Sequence, residues 1–287
     1  MRFIRSIVLW VVAFSLAENC VAQIPTENSM LWEVSGNGIK TSYLYGTIHV
    51  ICPDDVKIDT NATLSFRKSE QLYLELDMDD PALNEKMQKK MLNKRHLKSL
   101  MNKKNYEDLA NFFENRVGYS IEVLGMIKPF YLLSFTYSPM IGCSQPTSIE
   151  NQFVKMATEQ NKEILGLETL EDQTKIFDNI PQKQQADLLY DYVQNFDKMQ
   201  NSLLEMLNQY QKQDLVGLMQ SASVSNLKNE KFEESLLAKR NEKWAKAIPQ
   251  IIEKKSTFFA FGAAHLGGEN GVINLLRKAG YRVKAVL

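Results

Sequence analysis

Apolar and polar side chains alternate from Gln71 to Leu76, with Leu72, Leu74 and Leu76 set against Tyr73 and Glu75. A period of two puts these sets on opposite faces, so the segment predicts a β-strand. Leu31-Trp32-Glu33-Val34 and the run from Thr41 to His49 are likewise β-prone, and Ser35-Gly36-Asn37-Gly38 between them is a turn signal. The pair predicts a hairpin. A polar, helix-compatible stretch runs from Asn61 to Ser69, and Glu163 to Glu168 predicts a further short strand. From Ala82 to Asn161 the pattern is mostly helical, punctuated by Gly118, Gly125, Pro129, Pro139, Gly142 and Pro146. From Pro181 to Lys254 it is again long-period helical, rich in Gln, Lys, Glu, Leu and Met. The chain closes with a strand at Thr257 to Ala264, a helix at Asn270 to Ala279 stopped by Gly280, and a strand at Tyr281 to Val286. Strand, helix and strand of this length make a crossover unit, which requires part of the sheet to be parallel. The expected class is α/β, with a large helical insertion at about 82–254.

Composition narrows the function. The 287 residues are 44% hydrophobic, 24% charged and 10% aromatic, which is globular, and the 34 basic residues balance 34 acidic ones. Without a basic surplus to neutralise phosphates, nucleic acid is excluded as a partner. Met1-Arg2-Phe3-Ile4-Arg5, the apolar run Ile7 to Leu16 and then Ala17 to Gln23 have the order of a secretory signal peptide. Residues 1–22 are expected to be removed after Ala22, leaving 23–287 as one domain in an extracytoplasmic compartment, periplasmic or secreted. An uncleaved anchor and lipidation at Cys20 are the alternatives. No later run has the roughly 18 uncharged residues of a membrane helix, so none is expected after cleavage. The remaining Cys52 and Cys143 are either a disulfide, as export favours, or two separate thiols.

Two of the three histidines sit in near-copies of one pattern. Tyr43-Leu44-Tyr45-Gly46-Thr47-Ile48-His49 matches Phe259-Ala260-Phe261-Gly262-Ala263-Ala264-His265 at the aromatic, glycine and histidine positions. Each glycine permits a close backbone approach or a positive φ, and each histidine then falls at the rim of the sheet, where α/β folds place ligands. Two imidazoles are too few for a metal, and a carboxylate is the usual companion. Glu75 is the best candidate and Asp77, on the same face, the reserve; His96 lies in a polar stretch and reads as surface. H-E-x-x-H, G-x-S-x-G, C-x-x-C and P-loop patterns are absent, which argues against those chemistries.

These motifs resemble the TraB/GumN family, within a wider group that includes the Tiki proteases, the erythromycin esterases and the haem-binding ChaN lipoproteins. The resemblance runs from about Leu31 to Val286. It is carried by Gly46-Thr47-Ile48-His49, Leu74-Glu75-Leu76-Asp77, Lys128-Pro129, Leu165-Gly166-Leu167-Glu168-Thr169 with Glu171 and Gln173, Arg240-Asn241 with Trp244, and Gly262 to His265 running on to Val283. It implies a mixed, partly parallel sheet of two pseudo-symmetric halves and a site made of His49, His265, Glu75 and Arg240. Arg240 would clamp an oxyanion or a carboxylate. The Tiki resemblance implies peptide hydrolysis with a divalent ion such as Mn, Co or Zn held by His49, His265 and Glu75. The esterase resemblance implies a metal-free hydrolase with a histidine base, acting on a small molecule, and the ChaN resemblance implies a haem- or peptide-binding module without turnover. Lys239 replaces an acidic residue frequent before the arginine, and Phe130 replaces a commoner tryptophan.

Overall fold

The computed structural model describes residues 25–223 and 234–287, so the expected signal peptide lies outside the described residues. Six strands form one sheet: β1 (Leu31–Ser35), β2 (Ser42–Thr47), β3 (Gln71–Leu74), β4 (Glu163–Gly166), β5 (Thr257–Gly262) and β6 (Arg282–Ala285). Their order is β4-β3-β5-β2-β1-β6. The first four in this order run parallel, while β1 is antiparallel to both β2 and β6. The fold is therefore α/β on a mixed, partly parallel sheet.

Every residue of β2 and β5 is buried, which explains why their apolar runs do not alternate: both faces of a central parallel strand are covered. Phe258 on β5 is fully buried among Tyr43, Tyr45, Phe66 and Phe153, with ring centroids 4.9 to 6.4 Å away. Burial of such a ring contributes about 1.5–3 kcal/mol. Phe66 comes from helix α1 (Thr60–Lys68), capped by the Asp59 carboxylate, and Phe153 from helix α2 (Ile149–Glu159), capped by Ser148. Both ring-bearing faces close one side of the sheet.

Several expected elements are shorter than predicted, among them the strand from Glu163, which stops at Gly166, and three of these differences bear on the site. β3 ends at Leu74, β2 at Thr47 and β5 at Gly262, each before the residue that carries the chemistry. The apolar pattern continues past each strand because the chain beyond it is still packed. β6 does not lie beside β5; the crossover through helix Val272–Lys278 passes β2 and β1 to reach the far edge. The region 82–254 is helical on both sides of β4, and a second apolar cluster forms there around Leu97, Leu109, Phe113, Ile121, Leu132 and Leu189. No helix among the described residues is long and apolar enough to cross a membrane.

Cys52 and Cys143 form a disulfide, with Cα atoms 6.0 Å apart and a separation of 91 positions in sequence. Closing a loop of that size contributes roughly 4–5 kcal/mol in the chain-entropy picture. The bridge also has a local effect. It adjoins reciprocal backbone hydrogen bonds between Ile51 and Thr147 (2.9 and 2.8 Å) and one from Ile149 to the Ile48 carbonyl (3.1 Å). The loop after β2 is thereby fastened to the N-terminus of α2.

Candidate functional site

Strand order determines which side chains meet. The C-terminal ends of the parallel neighbours β4, β3, β5 and β2 lead in turn to Glu168, Glu75, His265 and His49. All four sit at the edge where open parallel sheets bind ligands. Helix α3 (Leu170–Asp178), opened by a Thr169–Asp172 capping box, adds Gln173, and helix α4 (Ala238–Ile252) adds Arg240, Asn241 and Trp244 from one face.

Glu75 is the hub. Its Oε1 accepts the Gly262 N–H at 2.9 Å, and its Oε2 accepts Arg240 Nη2 at 2.6 Å and Gln173 Nε2 at 3.1 Å. Its Oε1 also lies 3.6 Å from His49 Nε2 and 3.9 Å from His265 Nε2. A Cβ on Gly262 would fall 3.1 Å from His49 Nε2 and 3.3 Å from Glu75 Oε1. At Gly262, with φ −48°, the need is for close approach and not for positive φ. The other motif glycine, Gly46, is similar: a Cβ there would meet the Ala263 backbone at 3.1 Å.

Each histidine is fixed through Nδ1. His265 Nδ1 donates to Asn241 Oδ1 at 2.6 Å, and Asn241 is oriented by giving its amide to the Asn270 carbonyl. His265 Nε2 therefore keeps its lone pair, which accepts from Arg240 Nη1 at 3.1 Å. Trp244 packs on the His265 ring with centroids 4.4 Å apart. His49 Nδ1 donates to Glu150 Oε1 at 2.6 Å, an oxygen that also accepts from the Thr47 hydroxyl. Both Nε2 atoms thus face Glu75. Arg240 completes the network with a two-point contact to Glu168, at 2.5 and 3.1 Å, and a bond to the Leu236 carbonyl.

The electrostatics follow from these contacts. Burial disfavours charge on Glu75, yet His49, His265 and Arg240 hold its pKa down to about 2. His265 is driven to about 3 by burial, which outweighs Glu75, so it is neutral at physiological pH. His49 moves up to about 9: burial opposes the rise, and Glu150 followed by Glu75 overcomes it. Its side chain is 59% exposed, so solvent screens part of that effect while its direction stands. Glu168 is raised by burial despite Arg240.

A stability profile follows for the metal-free protein. His49, raised from 6.5 to about 9, contributes stability that is complete below pH 6.5 and is lost as pH rises through 9. His265 and Glu75 are lowered from 6.5 to about 3 and from 4.5 to about 2, and their contributions vanish as pH falls through those windows. Urea midpoints measured against pH should peak near pH 6.5; a maximum above pH 9 would contradict the assignment.

The structure brings His49, His265, Glu75 and Arg240 together. Asp77 takes no part in the network: its carboxyl faces Asp79 and is pushed up to about 6 by burial and by that neighbour. His96 is half-buried and structural, accepting from the Lys98 N–H and lying 3.2 Å from the Glu122 carbonyl. Glu150, Glu168, Gln173 and Asn241 went unassigned in the sequence. Glu168, Gln173 and Asn241 stood inside quoted motifs, whereas Glu150 reads only as a first-turn acid complementing a helix N-terminus.

Two features fit a divalent ion. Each imidazole is oriented through Nδ1 by a hydrogen-bond acceptor, the usual arrangement behind metal-binding histidines, and both Nε2 atoms share Glu75. Against this, Arg240 already contacts His265 Nε2, and among the described residues no three His, Cys, Asp or Glu side chains are close enough to hold a metal.

Comparison with known proteins agrees with the sequence motifs. The chain is 46% identical over 55 residues to Metalloprotease TIKI1 of Xenopus tropicalis, covering 18% of this chain and 11% of that protein. It is 45% identical over 56 residues to Metalloprotease TIKI2 of the same organism, with the same coverage. Against human (Homo sapiens) Metalloprotease TIKI1 it is 44% identical over 52 residues, 17% of this chain and 10% of that protein. The match spans about a tenth of each relative's length. No solved structure matches significantly. The model of the TraB/PrgY/gumN family matches residues 30–285, nearly the whole described chain, and the protein belongs to that family.

Proposed function

We propose that this protein is an exported, peptidase-like hydrolase that uses a divalent ion, with Mn, Co and Zn as the candidates. His49 Nε2, His265 Nε2 and Glu75 would hold the ion once Arg240 gave up His265 Nε2 and the three side chains closed on it, since without the ion they are not grouped as ligands. The observation that carries this reading is the convergence of two Nδ1-anchored imidazoles on one carboxylate at the ends of adjacent parallel strands. The names of the partial relatives support it. When bound, such an ion polarises a carbonyl and lowers the pKa of water.

The protein's own groups would do the rest. Glu150 and Asn241 fix the two rings, and Arg240 keeps Glu75 ionised beside the bond to be cleaved. The Arg240 contact to His265 Nε2 is the one an oxyanion would replace. Glu168, with both oxygens on Arg240, would fix the position of that guanidinium. Export rests on the N-terminal charged-then-apolar run together with the disulfide. The paired G-x-x-H segments further suggest two related halves within one domain.

One observation favours a metal-free second reading. Arg240 occupies the lone pair of His265, leaving His49 as the exposed imidazole, which with its pKa raised to about 9 would serve as the base only where alkaline pH removes its proton. No observation favours haem capture.

Metal-stripped protein, incubated with a peptide mixture and single added ions, separates these readings by mass spectrometry. Cleavage that appears only with an ion, and falls at least ~1,000-fold in His265→Ala, is expected. Equal cleavage with and without ions would move the mechanism to the metal-free route.

A further inference from the structure

Beside Arg240, helices α3 and α4 both line a cavity of about 440 Å³. From α3 it is lined by Asp172, Lys175 and Ile176, and from α4 by Lys239, Arg240 and Lys243. The spacings on both helices are one-turn spacings, so each contributes a single face. Glu168 is the other carboxylate in the wall, and Arg240 takes both its oxygens.

Charge in this cavity is unbalanced. Among the described residues that line it, four cations accompany two carboxylates. Arg240 is spent on Glu168 and Glu75, and Lys243 on Asp172 at 2.7 Å. Among the described residues Lys239 pairs with Glu234 alone, at 3.3 Å, and both side chains are more than half exposed. Lys175 has no salt-bridge partner among the described residues. Ile176 and Ile180 give the same cavity an apolar part of its wall. A wall that combines apolar side chains with cations suits a short aliphatic stem ending in a carboxylate.

We propose that this cavity is a substrate subsite that selects a carboxylate, presented by an Asp or Glu side chain or by the C-terminus of a peptide. The proposal rests on the hydrolase reading, and it defines the substrate class of that same site. Lys175 and Lys239 are the selecting residues, and Arg240 joins the subsite to the reaction centre. Lys239 pairs with Glu234 and not with a residue of the Glu75 network, so it can stand where an acidic residue is frequent without disturbing that network.

The test uses the mature protein and two pairs of fluorescent alanine-based peptides. One pair differs by Glu against Gln in mid-chain, the other by a free against an amidated C-terminus. Binding is measured by anisotropy to the His265→Ala protein, and turnover on wild type. The acidic member of one pair should bind about tenfold more tightly at low salt, the scale of one well-placed ion pair, and the margin should shrink toward parity in ~1 M salt. The pair that discriminates identifies the source of the carboxylate. In Lys175→Glu/Lys239→Glu the margin should disappear or reverse, while Lys175→Arg/Lys239→Arg should retain it. Equal binding within both pairs, or an unchanged margin in the glutamate variant, overturns the subsite. If no peptide is cleaved but the binding margin follows the lysines, the hydrolase reading fails and the subsite stands.

Discussion

Arg240→Met should lose about 3–5 kcal/mol of stability, the cost of leaving buried charges without their partner. The two carboxylates that would be abandoned, Glu75 and Glu168, have side chains only 9% and 2% exposed, and Arg240 itself is 11% exposed. All the polar ends of the guanidinium are in use: Nη2 and Nε on carboxylates, Nη1 on His265 and on the Leu236 carbonyl. Lysine cannot reproduce that fork, so Arg240→Lys should rescue little. The pH dependence identifies the cause. Without the cation, Glu75 and Glu168 should be protonated more easily, so the deficit relative to wild type should narrow as pH falls below 5. Adding Glu168→Gln to Arg240→Met should restore part of the loss. Urea denaturation at pH 7 and pH 4.5 reads all three effects, and a deficit independent of pH would show that lost packing on Trp244 is responsible instead.

Glu150→Gln should lower activity about 10–100-fold while leaving the fold nearly intact, as changes behind a metal- or proton-handling histidine generally do. A glutamine oxygen still accepts the His49 Nδ1–H, so the ring keeps its orientation. What disappears is the negative charge that, against the opposing effect of burial, holds His49 up at about 9. The His49 pKa should therefore fall toward 6.5, a shift that NMR titration of the ring resolves. Reduced activity with an unmoved His49 pKa would mean that Glu150 acts on the Thr47 hydroxyl or on α2, not on the imidazole. The Cys52–Cys143 bridge and the Ile51–Thr147 pairing hold the two loops together, so this contact does not depend on side chains alone.

The sequence made half of this site legible. His49, His265 and Glu75 could be found because each follows directly on a short β-prone run, and strand ends are a local feature. Arg240 came from the family resemblance alone, since its helix shows only an amphipathic face. Glu150 lies 101 residues from its partner His49 in the chain, and nothing in its neighbourhood distinguishes a buried acid from one facing solvent. Burial of a carboxylate is a tertiary fact, set here by the packing of α2 against β3 and β5. Sheet order was hidden for the same reason. The crossover predicted a parallel relation between β5 and β6, which holds in direction, but not that β2 and β1 would lie between them. The central consequence of that order, four neighbouring strand ends delivering Glu168, Glu75, His265 and His49 in sequence across the sheet, emerges only in three dimensions.

Calorimetric titration of the metal-stripped protein with Mn, Co and Zn, beside the His49→Ala/His265→Ala double variant, tests the central claim directly. The account predicts one ion per chain, with affinity that rises with pH as His49 gives up its proton and that is lost in the double variant. No binding by the wild type, or equal binding by the double variant, would contradict it.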